Sequence, residues 1–449
     1  MKKVNLLLAA VVAASMSSQA FAVTPNVQMS GYMRAGVGYD KNGTLNEYHG
    51  TNGGNSTTSK VGRLGNENGL YGELKLSADV AKVEDTLWTF NTMFAYKSHD
   101  GNNWDSLNGD TNESKGGYTD GIFVLEQTNI EVKGLFDWDK DAMLWVGKRF
   151  IQEQDSPLID VKYYNVSGTG FGIEGLSLGS GKLDLTYSQV GDKYNSDGVK
   201  SNVFDAKYNF PVADGWSVQI ADTFCFTQGA KDLDYDQENG NTLNLHLQYA
   251  DGKIFNRTVF EYLNGANAAS DGHVGWGNVD GGNAYKLMNF GTTSTLGNTK
   301  FGIAHHAQVG LYNNADDDNT KKKMYQLVLR PYYQLTKMTK VITELGAYGA
   351  YTEADGDVRT HDRVQKATLA YAIAPDASNF WSRPEIRFFV TYLHGDSNVT
   401  DSAYKTYKYK KNNDYATKDD VAPGEYAVDR TYGEGSTNIT FGVQVEAFI

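Results

Sequence analysis

The chain ends on an unbroken alternation in which Ile439, Phe441, Val443, Val445, Ala447 and Ile449 are interleaved with Asn438, Thr440, Gly442, Gln444, Glu446 and Phe448. A period of two sends successive side chains to opposite faces of a β-strand, so this segment has one apolar and one largely polar face. The pattern recurs where Met33, Ala35, Val37 and Tyr39 alternate with Tyr32, Arg34, Gly36 and Gly38. It recurs again where Gly72, Leu74, Leu76 and Ala78 alternate with Tyr71, Glu73, Lys75 and Ser77, and at Ile386, Phe388, Val390 and Tyr392. In a soluble sandwich the apolar face meets a second sheet; in a membrane barrel it meets lipid. Alternation alone fits both.

Three observations favour the barrel. Short turns between strands alternate with long polar excursions, at 40–62, 100–120, 312–323 and 394–436, the asymmetry of periplasmic turns and outer loops. Mean hydropathy is low, −0.49, although aromatic residues make up 12% of the chain, as expected when half of each strand faces a wet lumen. The last strand is rich in apolar and aromatic residues. Glycine (48) far exceeds proline (7), and tyrosine (29) exceeds tryptophan (7), a composition suited to many strands joined by turns.

Lys2 and Lys3 precede an apolar run from Leu6 to Ala14, and Ala20-Phe21-Ala22 supplies small residues for cleavage, so residues 1–22 read as a secretory signal peptide. Residues 23–449 follow as one barrel domain without a linker. No later segment approaches the roughly 18 consecutive apolar residues of a spanning helix. The formal charge of −13 argues against nucleic acid, whose phosphates demand a basic face.

Signals for other chemistry are sparse. Cys225 is the single cysteine and reads as a small buried side chain. Asp316, Asp317 and Asp318 lack the alternating spacing of a calcium loop, so a solvated loop is the better reading. His305 and His306, adjacent in a strand, point to opposite faces and cannot share a metal. No nucleophile elbow, zinc-protease helix or phosphate loop is present, and no cofactor or metal is expected.

Several segments together resemble the maltoporins, sugar-selective channels of the bacterial outer membrane. They are SerGlyTyrMetArgAlaGlyValGlyTyr (30–39), ArgLeuGlyAsnGluAsnGlyLeuTyrGlyGluLeuLysLeu (63–76), the stretch 145–182, LeuArgProTyrTyr (329–333), PheTrpSerArgProGluIleArg (380–387) and the terminal strand. They occur in family order from end to end, while 185–325 aligns poorly. The resemblance implies an all-β antiparallel transmembrane barrel of 18 strands, assembled as a homotrimer, with an inward-folded third loop constricting each pore. That loop starts after Arg149 and Phe150 and contains Asp155 and Asp160.

The same resemblance assigns residues. An aromatic slide falls on Tyr32, Tyr71, Trp104, Trp381 and Phe448, with Trp276 a looser sixth position; Trp104 is implied to reach a neighbouring subunit's pore. Polar tracks fall on Arg34, Arg63, Glu73, Asp155 and Asp160. Period two places Arg34 on the wall that carries Tyr32, and Glu73 on the wall that carries Tyr71. The alternative is that the rings are girdle or packing residues and the charges ordinary lumen solvation. At the constriction the chain departs from the family: Lys162 replaces a tyrosine, Glu126 and Glu153 replace arginines, Pro157 replaces a histidine, and the chain ends Phe448-Ile449. Asn68 stands where a first-loop cysteine would be, implying a looser loop at 40–62.

The function expected is facilitated diffusion of oligosaccharides, maltodextrins foremost, without catalysis. Rings grip the apolar faces of a sugar while charged groups meet its hydroxyls, each weakly enough for release. Expected partners are the solutes, outer-membrane lipid and lipopolysaccharide, and two further copies of the chain; a periplasmic sugar-binding protein is another candidate. The rival readings are a non-selective porin, a porin for another sugar, an outer-membrane hydrolase and a soluble carbohydrate-binding protein.

Overall fold

The structure is a computed structural model that describes residues 26–40, 60–65, 69–98, 122–159, 161–191, 200–228, 239–268, 282–314, 320–354, 358–400, 406–409, 425–426 and 436–448. The alternating segments form the strands of one wall. They are β1 (Val27–Asp40), β2 (Gly69–Val83), β3 (Thr86–Ser98), β4 (Ile122–Lys133), β5 (Met143–Arg149) and β6 (Gly168–Leu178). Next come β7 (Gly181–Gly191), β8 (Lys200–Ala213), β9 (Trp216–Gln228), β10 (Asn239–Ala250), β11 (Ile254–Gly265) and β12 (Asn283–Thr293). The last are β13 (Phe301–Asn313), β14 (Lys321–Gln334), β15 (Thr339–Ala354), β16 (Val358–Ile373), β17 (Glu385–Thr400) and β18 (Ser436–Phe448). Neighbours pair antiparallel throughout, and β1 pairs with β18 as well as β2, closing an 18-strand barrel.

Closure leaves no free sheet edge, so every strand backbone is satisfied within the wall, as a lipid environment requires. The faces sort as alternation predicts. On β18, Ile439 and Phe441 are 42% and 53% exposed, whereas Thr440, Gln444 and Glu446 are 5%, 1% and 5% exposed. Across the wall the exposed face carries large apolar residues such as Phe204, Leu287, Leu369 and Phe388, and the buried face carries polar ones such as Asp205, Lys286, Lys366 and Glu385. This is the inverse of a soluble core and the order expected of a barrel in lipid.

Connections are unequal at the two ends. One end has turns of 84–85, 179–180 and 214–215; the other has 41–68, 99–121 and 401–435. Two expected excursions shorten, because β13 runs on to Asn313, β14 starts at Lys321 and β17 continues to Thr400. Backbone pairing extends the ladders into sequence that is polar enough to read as loop.

Two non-wall segments pack on the buried face. Residues 60–65 adjoin β15 and β16, where Leu64 joins Leu158, Ile159, Val328, Ile342 and Phe389 in an apolar cluster. Residues 150–167, between β5 and β6, hold a short hairpin of Gln154–Ser156 with Val161–Tyr164. Tyr163 and Tyr164 join Val203, Val259, Met288 and Phe290 in a second cluster. The expectation of a loose first loop is corrected for residues 60–62, because Val61 is fully buried and Lys366 holds the Gly62 carbonyl.

Candidate functional site

Tyr32 on β1 lies directly opposite Phe448 on β18 and Glu73 on β2, while Arg34 lies opposite Tyr71 and Glu446. All share the buried face, because each is an even number of residues from its neighbours on the strand. Tyr71, Tyr32 and Phe448 form a row, with ring centroids 6.1 Å and then 5.6 Å apart. The row runs across strands. Strands of such barrels tilt by about 45°, so a row perpendicular to them changes depth with every step. Three rings on adjacent strands therefore trace an oblique path along the wall.

Charged groups flank that path on both sides. The Arg34 guanidinium lies 5.2 Å from the Tyr71 ring centroid, and Arg383 lies 5.7 Å from that of Phe448. The Tyr71 hydroxyl donates to Glu73, and Glu126 acts on the same hydroxyl electrostatically. The Tyr32 hydroxyl donates to Glu446 Oε1 at 2.9 Å and accepts from Arg63 Nη2 at 3.0 Å. Both hydroxyls are thus engaged by protein.

Glu446 is the hub of the charge cluster. It accepts from Arg383 and Arg387, and its salt bridges to both are at 2.7 Å, while Arg63 forms a longer ion pair with it at 3.5 Å. Glu385 in turn pairs with Arg387 at 2.5 Å and Lys340 at 2.6 Å. Four cations share two carboxylates, so this part of the buried face is net positive. Burial of so many charges is tolerable only because each lies within 3.5 Å of an opposite charge.

The segment 150–167 brings its own charges. Lys162 pairs with Glu153 and lies 5.2 Å from the Phe150 ring centroid. Burial pushes the Glu153 carboxyl up from the ordinary glutamate range, and Lys162 pulls it only part of the way back. Asp155 is exposed opposite Lys162 in the hairpin, and Pro157 sits in its turn. The segment is fixed to the wall by Tyr164 donating to Asp205 at 2.6 Å, Arg257 donating to Gln154 and Tyr163 at 2.8 and 2.7 Å, and Ser156 meeting His306 at 3.0 Å. Burial holds the Tyr163 hydroxyl up at about 12, so it stays a donor at any working pH.

The LamB porin family model matches residues 27–448. The chain belongs to the LamB porin family. Among relatives, Maltoporin 1 of Klebsiella pneumoniae subsp. pneumoniae is 32% identical over 88% of this chain and 93% of its own. The maltoporin of Vibrio cholerae serotype O1 is 30% identical across the full length of both. Among solved structures, the Pseudomonas aeruginosa channel OccK1 (OpdK) aligns over 94% of this chain and 99% of its own, with a TM-score of 0.47 and 8% identity. As a LamB porin the protein is an outer-membrane sugar channel and not an enzyme.

Within this LamB porin the six expected slide positions divide. Tyr32, Tyr71 and Phe448 come together. Trp381 lies in the connection between β16 and β17, packs edge-on against Phe380 at 5.2 Å and donates from Nε1 to Thr292 at 3.2 Å. It is half-exposed, and Arg383, two residues further along the same connection, reaches the Phe448 ring. Trp104, Trp276 and Asp160, along with Asp316 to Asp318, Asn68 and Ile449, lie outside the described residues. Arg63 reaches Tyr32 from the 60–65 segment instead of from a strand.

Sequence reasoning missed Glu446, Glu385, Arg387, Arg383 and Lys340 as site groups. Alternation does put Glu446 on the polar face, and Arg383 stands in the TrpSerArgPro match, but their mutual contact joins residues 340, 385 and 446. His305 and His306 do part, His305 meeting Asn289 at 2.7 Å and His306 meeting Ser156. Cys225 is buried and donates to Asn267 at 2.9 Å, as a small core side chain would.

Proposed function

We propose that this LamB porin conducts oligosaccharides, maltodextrins first among them, along Tyr71, Tyr32 and Phe448, with segment 150–167 acting as the inward third loop that narrows the pore. The observation that carries the proposal is the row of rings flanked by Arg34, Glu73, Arg63 and Glu446. A pyranose ring is apolar on its faces and ringed by hydroxyls, so it slides on rings while its edges exchange hydrogen bonds with charged groups. Relatives named maltoporin support the sugar class. Glu153 and Lys162 on the narrowing loop favour a shifted sugar preference, since an ion pair stands where the family carries guanidinium and ring.

The functional unit is a homotrimer of mature chains beginning at Val23, with Trp104 completing a neighbour's pore and Trp381 and Trp276 extending the path at its ends. Lipid and lipopolysaccharide surround the apolar belt, and a periplasmic sugar-binding protein collects the solute.

Single trimers in planar bilayers, titrated with maltotriose, maltohexaose, sucrose and a charged oligosaccharide, test this. Saturable block of the ion current by maltodextrins is the expected result. Block by another sugar alone would reassign the substrate, and no block by any would make the protein a general diffusion porin.

A further inference from the structure

We infer that Glu344 on β15 and Lys366 on β16 are a positioning pair for the solute path, holding Arg63 at Tyr32 and tying residues 60–65 to the narrowing loop. Both side chains are fully buried, and they pair at 2.6 Å. Lys366 Nζ also donates to the carbonyls of Gly62 at 2.7 Å and Leu64 at 2.8 Å. Glu344 accepts from the Leu64 N–H at 3.0 Å and from Arg330 Nε at 2.6 Å. Thr368 Oγ1 donates to the Leu64 carbonyl at 3.2 Å. The pair thus grips backbone on both sides of residue 63.

The slot is shaped as well as charged. A Cβ at Gly346 would sit 2.0 Å from the Val61 carbonyl oxygen, so this position on β15 admits the segment only as glycine. Gly62 has a φ of 96°, a left-handed conformation that turns the chain there. Val61 and Leu64 are fully buried on either side. Side chains 61 and 64 therefore point into the wall, and Arg63 is left to reach out to Tyr32 and Glu446. Its backbone N–H donates to the Leu158 carbonyl at 3.0 Å, which fastens segment 60–65 to segment 150–167.

Burying a carboxylate with two cations is rarely the most stabilising choice for a wall; an apolar set of similar volume would often do as well. What the charges supply here is geometry, because ionic donors and acceptors fix two carbonyls and one N–H at once. Lys366 and Glu344 thereby set where Arg63 stands and how far the two segments lean from the wall. The inference rests on the reading of 150–167 as the pore-narrowing loop.

The test is a set of variants in single-channel recordings, with conductance in salt alone and half-block by maltohexaose read separately. Lys366→Met is expected to raise conductance and to raise the half-blocking concentration about tenfold, the effect of losing a charge-assisted contact to the solute. Lys366→Arg should restore most of both. Gly346→Ala pushes Val61 away without leaving an unpaired charge, and is expected to shift both readings the same way; it keeps the test open if Lys366→Met fails to assemble. In an Arg63→Ala background, Lys366→Met should add little to the loss of block, because its effect passes through Arg63. Fully additive effects on block, or conductance and block unchanged in both Lys366→Met and Gly346→Ala, would overturn the inference. Conductance needs no sugar, so a wrong substrate class fails the block arm alone.

Discussion

Tyr32 carries the most informative side chain of the path, because its hydroxyl is spent on Glu446 and Arg63 and only its ring remains for a solute. Tyr32→Phe is expected to keep saturable sugar block within about threefold of the parent, while Tyr32→Ala should weaken it by about tenfold, a ring contact being worth roughly 0.5–1.5 kcal/mol. Equal losses in both variants would show that the hydroxyl, not the ring, binds sugar. Glu153 offers a second residue-scale prediction. Its carboxyl is held up by burial, so it takes a proton at higher pH than an exposed glutamate, and acidification then leaves the Lys162 charge uncompensated. Reversal potentials in a salt gradient should therefore move toward anion preference as pH falls, beginning above the ordinary glutamate range. Glu153→Gln should already show the shifted potential at neutral pH and lose this step. A titration identical in parent and variant would count against it.

The strand is the scale at which sequence and environment agree. Leu369 and Phe388 stand on the exposed face, one residue from the buried Thr368 and Phe389. Leu369→Arg should destabilise the barrel by about 2–4 kcal/mol if it lies near the bilayer midplane, read from denaturant unfolding in lipid vesicles. A cost near zero would place β16 outside the hydrocarbon. The strand scale is also where reading the sequence reached its limit. Period two identified β1, β2, β17 and β18 and assigned Tyr32, Tyr71, Arg34, Glu73 and Phe448 to one face. It missed the ends of β13, β14 and β17, because ladder hydrogen bonds do not require apolar side chains and polar residues extend the pairing unnoticed.

At the scale of the molecule, a closed wall with an apolar exterior and a charged interior has its stability divided between lipid and ion pairs. The trimer proposed above should migrate in detergent as an oligomer until boiled and as a monomer afterwards. Trp104→Ala should then weaken sugar block without altering that mobility, if this ring serves a neighbour's pore. Monomer before boiling would remove the neighbour from the account. By themselves the alternation of Ile439 to Ile449 and the turn-and-loop rhythm favoured a membrane barrel, and the scattered family segments implied a sugar channel, since a period of two and a short motif need no partner to be read. Only the tertiary structure decided that Arg63 arrives on a tethered segment, that Glu446 gathers Arg63, Arg383 and Arg387, and that Trp381 meets Thr292. The tether of Arg63 joins residues hundreds of positions apart, while Arg383, Arg387 and Trp381 meet partners 63, 59 and 89 positions away, and all of these contacts exist only once the strands are assembled into one wall.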